Sequence, residues 1–193
     1  MTVRLAGWTM KLSARLCLQA ADLLRDRRGM SAIEFALIVP ILLGLYIGTV
    51  EIGNAVTVSR RSAAVASTAA DLVAQVKTIS TSDLQDVVNA AGGILTPYST
   101  KPLTVVLTSV VADQNNQGKV TWSYANKGAS RGVGSAYALP AGLTQANSSV
   151  IVAEITYAFS PILNFGGFSP AAFDMKRTFY AKPRRSLTVA KTN

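Results

Sequence analysis

Glu34 is the one charge in the apolar run that follows an arginine cluster and a glycine, in the stretch RDRRGMSAIEFALIVPILLGLYIGTV from Arg25 to Val50. A carboxylate there could relay protons, ligate a metal or pair with a cation. The first two roles need partners that this chain lacks. It has no histidine and a single cysteine, Cys17, which removes Ser-His-Asp triads, Cys-His pairs, an intrachain disulfide and almost every zinc site. A Ser–Lys dyad or a carboxylate pair stays formally open. Asp83 and Asp86, spaced i, i+3 on an expected helix, read better as first-turn charges favoured by the helix dipole. None of the usual enzymatic constellations assembles, so no catalytic residue, metal or cofactor is expected. Ion pairing remains. An unpaired carboxylate in lipid costs about 2.5 kcal/mol or more, so a glutamate at a membrane edge either stays solvated among the headgroups or needs a cation.

The element that must position Glu34 is the apolar run itself. From Met30 to Val50 it carries no other charge; as a helix rising 1.5 Å per residue it would span about 31 Å, close to a bilayer hydrocarbon core of about 30 Å. A buried core helix rarely shows such an all-round apolar surface directly after a cationic block. Residues 30–52 are therefore expected to cross a membrane. A signal peptide cut near Gly53-Asn54-Ala55 fits less well, because the basic region in front is long and the apolar stretch exceeds the usual roughly 7–15 residues. Within the span, Gly44 and Gly48 extend an i, i+4 line of small or unusual residues through Ala32, Ala36 and Pro40, a spacing that lets helix backbones approach closely. Pro40 removes the hydrogen bond to the Ala36 carbonyl.

The net charge of +9 invites a nucleic-acid reading, but its distribution argues against one. Six basic residues (Arg4, Lys11, Arg15, Arg25, Arg27, Arg28) precede the span against Asp22 and Asp26, so that the front segment contributes 6 − 2 = +4. The rest is thin apart from a tail holding Lys176, Arg177, Lys182, Arg184, Arg185 and Lys191, which reads as solvated. No helix-turn-helix, zinc-ligand or RNP-like pattern occurs, so no nucleic acid is expected. The front segment, residues 1–29, reads as a basic leader, with Leu5, Trp8, Leu12, Leu16 and Leu23 at helical spacing, suited either to an anionic membrane surface or to a cytoplasmic leader without lasting structure. Only Arg60 and Arg61 follow the span closely. The positive-inside rule then places the N-terminus in the cytoplasm and residues 53–193 outside.

Past Val50 the helical pattern continues unbroken, predicting an extension over 53–79. A short helix follows, with Ser82 and Gln85 at capping-box spacing, Leu84, Val87, Val88 and Ala91 on one face, and Gly92-Gly93 as its stop. From Leu103 the period changes to two. LTVVLTSVVA, the turn DQNNQG and KVTWSYA read as a hairpin with Val120, Trp122 and Tyr124 on one face. The Asp/Asn turn lacks the downstream bidentate glutamate of a calcium loop. Residues 126–148 form a Gly/Ser/Ala-rich loop. SVIVAEITYAFSP then points Ile151, Ala153, Ile155, Tyr157 and Phe159 inward, and after a loop with Gly166-Gly167 a last strand runs around 175–182 to Pro183. No internal repeats occur. The fold class expected is α+β: a long N-terminal transmembrane helix leading into a small domain with an antiparallel sheet of about four strands.

Glu34 finds its cation if the chain is cut between Gly29 and Met30. The new α-amine of Met30 would lie one helical turn from Glu34, and a pair is far cheaper in lipid than either charge alone. In a bundle, Glu34 of one subunit could meet the amine of its neighbour and set the axial register.

Basic residues, glycine, four residues, Glu-Phe and an apolar span together resemble the type IV prepilin processing site. The form RRGMSAIEFALIVPILLGLYIGTVEIG is similar to the TadE-like minor pseudopilins of the tight-adherence (Tad, type IVc) pilus system. That resemblance is specific over roughly residues 27–54. It implies a small periplasmic domain after the helix, Gly29 before the scissile bond, Met30 as the mature N-terminus, Glu34 as the acidic fifth residue, and Arg27 and Arg28 in recognition. It further implies the bacterial inner membrane, a prepilin peptidase, other pilins and pseudopilins and the pilus assembly platform as partners, and surface adherence as the outcome. The leader, 1–29, is long for such a site. The alternative is an uncleaved single-pass membrane protein with a periplasmic binding domain.

Overall fold

The computed structural model describes residues 29–115, 117–140, 142–161 and 171–192. The basic leader with Arg27 and Arg28, and the loop holding Gly166-Gly167, lie outside the described residues. The chain divides into two compact units, Met1–Gly48 and Thr49–Asn193.

Helix α1, Met30–Ala74, begins in the first unit and ends in the second, with Pro40 inside it. In the first unit its side chains face outward all round: Ile33, Phe35, Leu37, Ile41 and Leu45 are all exposed. It is long and apolar enough to cross a membrane. In the second unit its character changes. Val58, Ser62, Val65, Ala66, Ala69, Ala70, Val73 and Ala74 are buried at helical spacing, and the many alanines let the backbone lie close against a sheet.

α1 ends at Ala74 rather than near Ile79, because the next residues are claimed by another element. Thr78–Ile79 forms β1, a parallel pair with β7, Ala190–Lys191, which follows the strand expected to be the last. Helix α2 spans Thr81–Gly92. Its capping box is built from Ser80 and Asp83, two residues earlier than Ser82 and Gln85: Ser80 Oγ accepts from Asp83 N, and Ser80 N donates to Asp83 Oδ2 at 2.9 Å. The Ser80 backbone and hydroxyl donors hold the Asp83 carboxyl below the usual carboxylate range. A lowered folded-state value means the cap is intact above the ordinary carboxyl pKa and weakens as pH falls through the lowered one. Leu84, Val88 and Ala91 are buried as the periodicity predicts. The α-helix stops at the glycine pair as expected, with Gly93, still right-handed, as its C-cap and the start of a 3-10 turn, Gly93–Leu95.

The main sheet has five strands in the order β4-β3-β2-β5-β6: β2 Leu103–Ala112, β3 Gly118–Asn126, β4 Ala136–Tyr137, β5 Ser149–Phe159 and β6 Phe173–Ala181. It is antiparallel throughout. The extra member over four is the two-residue β4, drawn from the Gly/Ser/Ala-rich segment. It reaches β3 because Gly118 has no side chain; a Cβ there would stand 2.5 Å from the Tyr137 carbonyl. The β2–β3 turn is a hairpin, with Asp113 Oδ1 accepting from Asn115 N and Gln117 N at 2.9 Å each.

One expected face is broken. Ser109 pairs with Trp122 but Val110 pairs with Val120, which leaves Thr121 as an extra residue in β3. A bulge of one residue inverts the alternation beyond it. Trp122 and Tyr124 therefore face the helices, whereas Val120 joins Val110, Val150 and Val152 in a smaller cluster on the opposite face. On β5 the alternation holds: Ile151, Ala153, Ile155, Tyr157 and Phe159 are all buried in the main core against α1 and α2.

Candidate functional site

The expected processing junction is open to its surroundings. Gly29 and Met30 are exposed, Met30 being the first residue of α1. Glu34 is exposed in the next turn. On a helix i and i+4 share a face, with Cβ atoms about 6 Å apart, so a charge on the Met30 nitrogen would be within reach of the Glu34 carboxylate or of a neighbouring chain's. Met30, Glu34 and Gly29 thus occupy one helix end; Arg27 and Arg28 lie outside the described residues. The line of small residues is on the same helix. A Cβ at Gly44 or Gly48 would meet nothing within 4 Å, so no described neighbour in this chain requires glycine there. Any packing use of that line belongs to a second helix.

Other charged residues serve positions that the sequence left unassigned. Arg61 holds the turn after α2: its guanidinium donates to the Ile94 carbonyl at 2.9 Å and to the Thr96 carbonyl, and it stands 5.9 Å from the Tyr98 ring centroid. Tyr98 in turn donates to Asn54 Oδ1 at 3.2 Å. On the far face of the sheet Arg131 makes a two-pronged contact with Glu154, at 2.7 and 2.6 Å, under the Tyr137 ring. Burial first, and then the Glu154 charge, push the Tyr137 hydroxyl well above its ordinary pKa, which keeps it neutral and able to donate to Glu154. These groups satisfy one another.

The basic side chains of the tail are exposed, as expected, but the tail is also anchored to the domain. Arg184 bonds Asp71 on α1 at 2.5 Å, and its backbone N–H donates to the Ala74 carbonyl that ends the helix. Val189 is buried, and its carbonyl accepts from Trp122 Nε1 at 2.7 Å. A run of basic letters hides this role, since its apolar anchors, Val189 and β7, are too short to show a period.

The organisation of α1 decides the comparison: an arginine-glycine junction, an exposed apolar half, and an alanine-rich half that enters a small α+β core. Residues 29–71 match the TadE-like protein family. The match starts at Gly29 and runs along α1 to Asp71, and includes none of the sheet. No curated protein and no solved structure matches the chain. The TadE-like segment agrees with the resemblance carried by RRGMSAIEF and points to a membrane-anchored, Tad pilus-associated subunit.

Proposed function

We propose that the chain is a minor pseudopilin: a non-enzymatic, single-span subunit for assembly of a Tad (type IVc) pilus, matured by a prepilin peptidase. The observation that carries this reading is the position of the TadE-like match, whose first residue is Gly29 at the head of an exposed apolar helix. Hydrolysis of the Gly29–Met30 amide would leave a carboxylate on the leader's Gly29 and a free α-amine on Met30. The apolar half of α1 would hold the subunit in the bacterial inner membrane and pack laterally with other pilins. The packed α+β unit would stand on the periplasmic side and guide initiation at the assembly platform or sit at the filament tip. N-terminal sequencing of membrane-purified native protein tests the maturation step. A sequence starting at Met30 is expected; an intact leader would favour the uncleaved anchor with a periplasmic binding domain.

Topology gives a second test. With six basic residues before the span, a phosphatase fused after Asn193 should be active and a cytoplasm-only reporter there silent. The opposite pattern would overturn the proposal.

Glu34 separates an assembling subunit from an isolated anchor. If it pairs with a neighbour's Met30 amine, Glu34→Ala leaves that cation without a partner beside lipid. Breaking a buried pair typically costs about 3–5 kcal/mol and a surface pair about 1 or less, and a headgroup-level pair lies between. Even about 1.4 kcal/mol is tenfold in an association constant. Crosslinks to partner pilins should therefore fall about tenfold or more while membrane insertion persists. Wild-type crosslinking with normal cleavage would make Glu34 a solvated bystander.

A further inference from the structure

Strand β6 is the open edge of the five-stranded sheet: β5 pairs with it on one side, and among the described residues no strand pairs with it on the other. Edge strands turn alternate N–H and C=O groups outward and are templates for another strand. The opposite edge differs. There the loop after β3 folds back, with Val120 N donating to the Ser135 carbonyl and Gly134 N to the Val120 carbonyl, ahead of β4.

Two grooves run between β6 and α1, of about 680 and 620 Å³. Arg177, which reaches across to the Ser59 hydroxyl, marks the crossing near the second of them. Each groove holds one exposed aromatic from β6, Phe179 in the first and Phe173 in the second, 41% and 49% exposed. They are six residues apart on one face, about 20 Å along a strand. Phe173 rests against the Phe159 ring, with centroids 5.5 Å apart, and a strand edge protected only against self-association needs its charges but not two half-exposed phenylalanines.

The charge of this surface selects the occupant. Five basic side chains line the two grooves, Arg60, Lys176, Arg177, Lys182 and Arg184, against two carboxylates, Asp71 and Asp174. Asp71 and Arg184 take each other, which leaves four basic side chains against Asp174. A second copy of β6 paired antiparallel about the middle of the strand would set Lys176 or Arg177 against its own kind, and like charges facing each other across strands destabilise the pair. We infer that the free edge of β6 receives an extended acidic segment of a partner protein, added as a sixth strand, with carboxylates facing Lys176 and Arg177 and apolar side chains against Phe173 and Phe179. Backbone bonding would supply affinity and the grooves specificity. The inference is independent of whether Gly29–Met30 is cut.

The test uses the full chain in nanodiscs of zwitterionic lipid and a nine-residue valine-rich peptide with an adjacent pair of glutamates at its centre, matched to the nine residues of β6 and to Lys176 and Arg177, which face opposite sides of the strand. Two control peptides carry lysine for glutamate, or N-methyl groups on alternate amides. The Val-Glu peptide should bind at least tenfold tighter than either control and slow amide exchange in β6 at least tenfold. The Lys176→Glu, Arg177→Glu double variant should lose that binding about tenfold or more, whereas Lys101→Glu, a distant charge reversal, should not. Equal binding of the N-methylated peptide would reduce the surface to a charge patch and overturn strand addition. So would absence of binding, absence of exchange protection in β6, or a β6-to-β6 crosslink between copies. Protection of β6 by anionic nanodiscs without peptide would assign the edge to lipid headgroups and overturn it as well.

Discussion

Gly29→Val should leave nearly all of the protein uncut, seen as a slower band on a gel and as an intact mass that still includes the leader. The reason lies in the peptidase and not in the fold. A Cβ at Gly29 would meet no described atom within 4 Å, and the residue has no left-handed backbone to protect. A valine there is tolerated by the chain itself. What it changes is the surface offered to a protease cleft, where a β-branched side chain beside the scissile carbonyl stiffens the backbone and excludes close approach. Gly29→Ala, adding one methyl group, should be cut more slowly than the wild type but faster than the valine variant. Processing of Gly29→Val at the wild-type rate would sink the proposed cleavage site. The same variant should insert in the membrane normally, because the exposed apolar half of α1 is untouched.

Trp122→Ala should be the most damaging single change in the sheet. The indole is 6% exposed at the bulge, packs in the main core, and donates to the Val189 carbonyl at 2.7 Å. Truncating a buried tryptophan costs about 3–5 kcal/mol. Trp122→Phe keeps most of the ring but leaves a buried carbonyl without its donor, at about 1–3 kcal/mol. Amide exchange in β5, measured on the full chain in detergent, reads the global loss. The tail should loosen with it, since Val189 loses its anchor and what remains is the exposed Arg184–Asp71 pair, the Arg184 N–H bond to the Ala74 carbonyl and the two-residue β1–β7 pairing. Proteolysis at Arg185 or Lys191 should then speed up in the alanine variant well before the sheet is cut. An alanine variant within 1 kcal/mol of wild type would show that the tail and bulge contribute little to the fold.

The apolar span and the strand β5 were legible in the residues because each obeys a single local rule. Met30–Val50 is apolar in every direction, which only a nonpolar solvent or a fully buried site rewards. Ile151, Ala153, Ile155, Tyr157 and Phe159 alternate without interruption, and all five are buried. The chemistry excluded at the start follows from missing side chains, which no folding can restore. Several other features depend on partners distant in the chain. The helix pattern past Ala74 is locally satisfactory, but Thr78–Ile79 gains hydrogen bonds to Ala190–Lys191, more than a hundred residues away, and leaves the helix. Val120 changes face because one extra residue, Thr121, is accommodated opposite Ser109–Val110. No period within β3 announces it. The tail's basic letters say surface, and Arg184 is exposed in its pair with Asp71, yet Val189 beyond them is buried, since its partner Trp122 is reached only when the sheet is assembled. The open edge at β6 has the same origin: a strand is an edge by virtue of what does not pair with it, and pairing is a property of the assembled sheet.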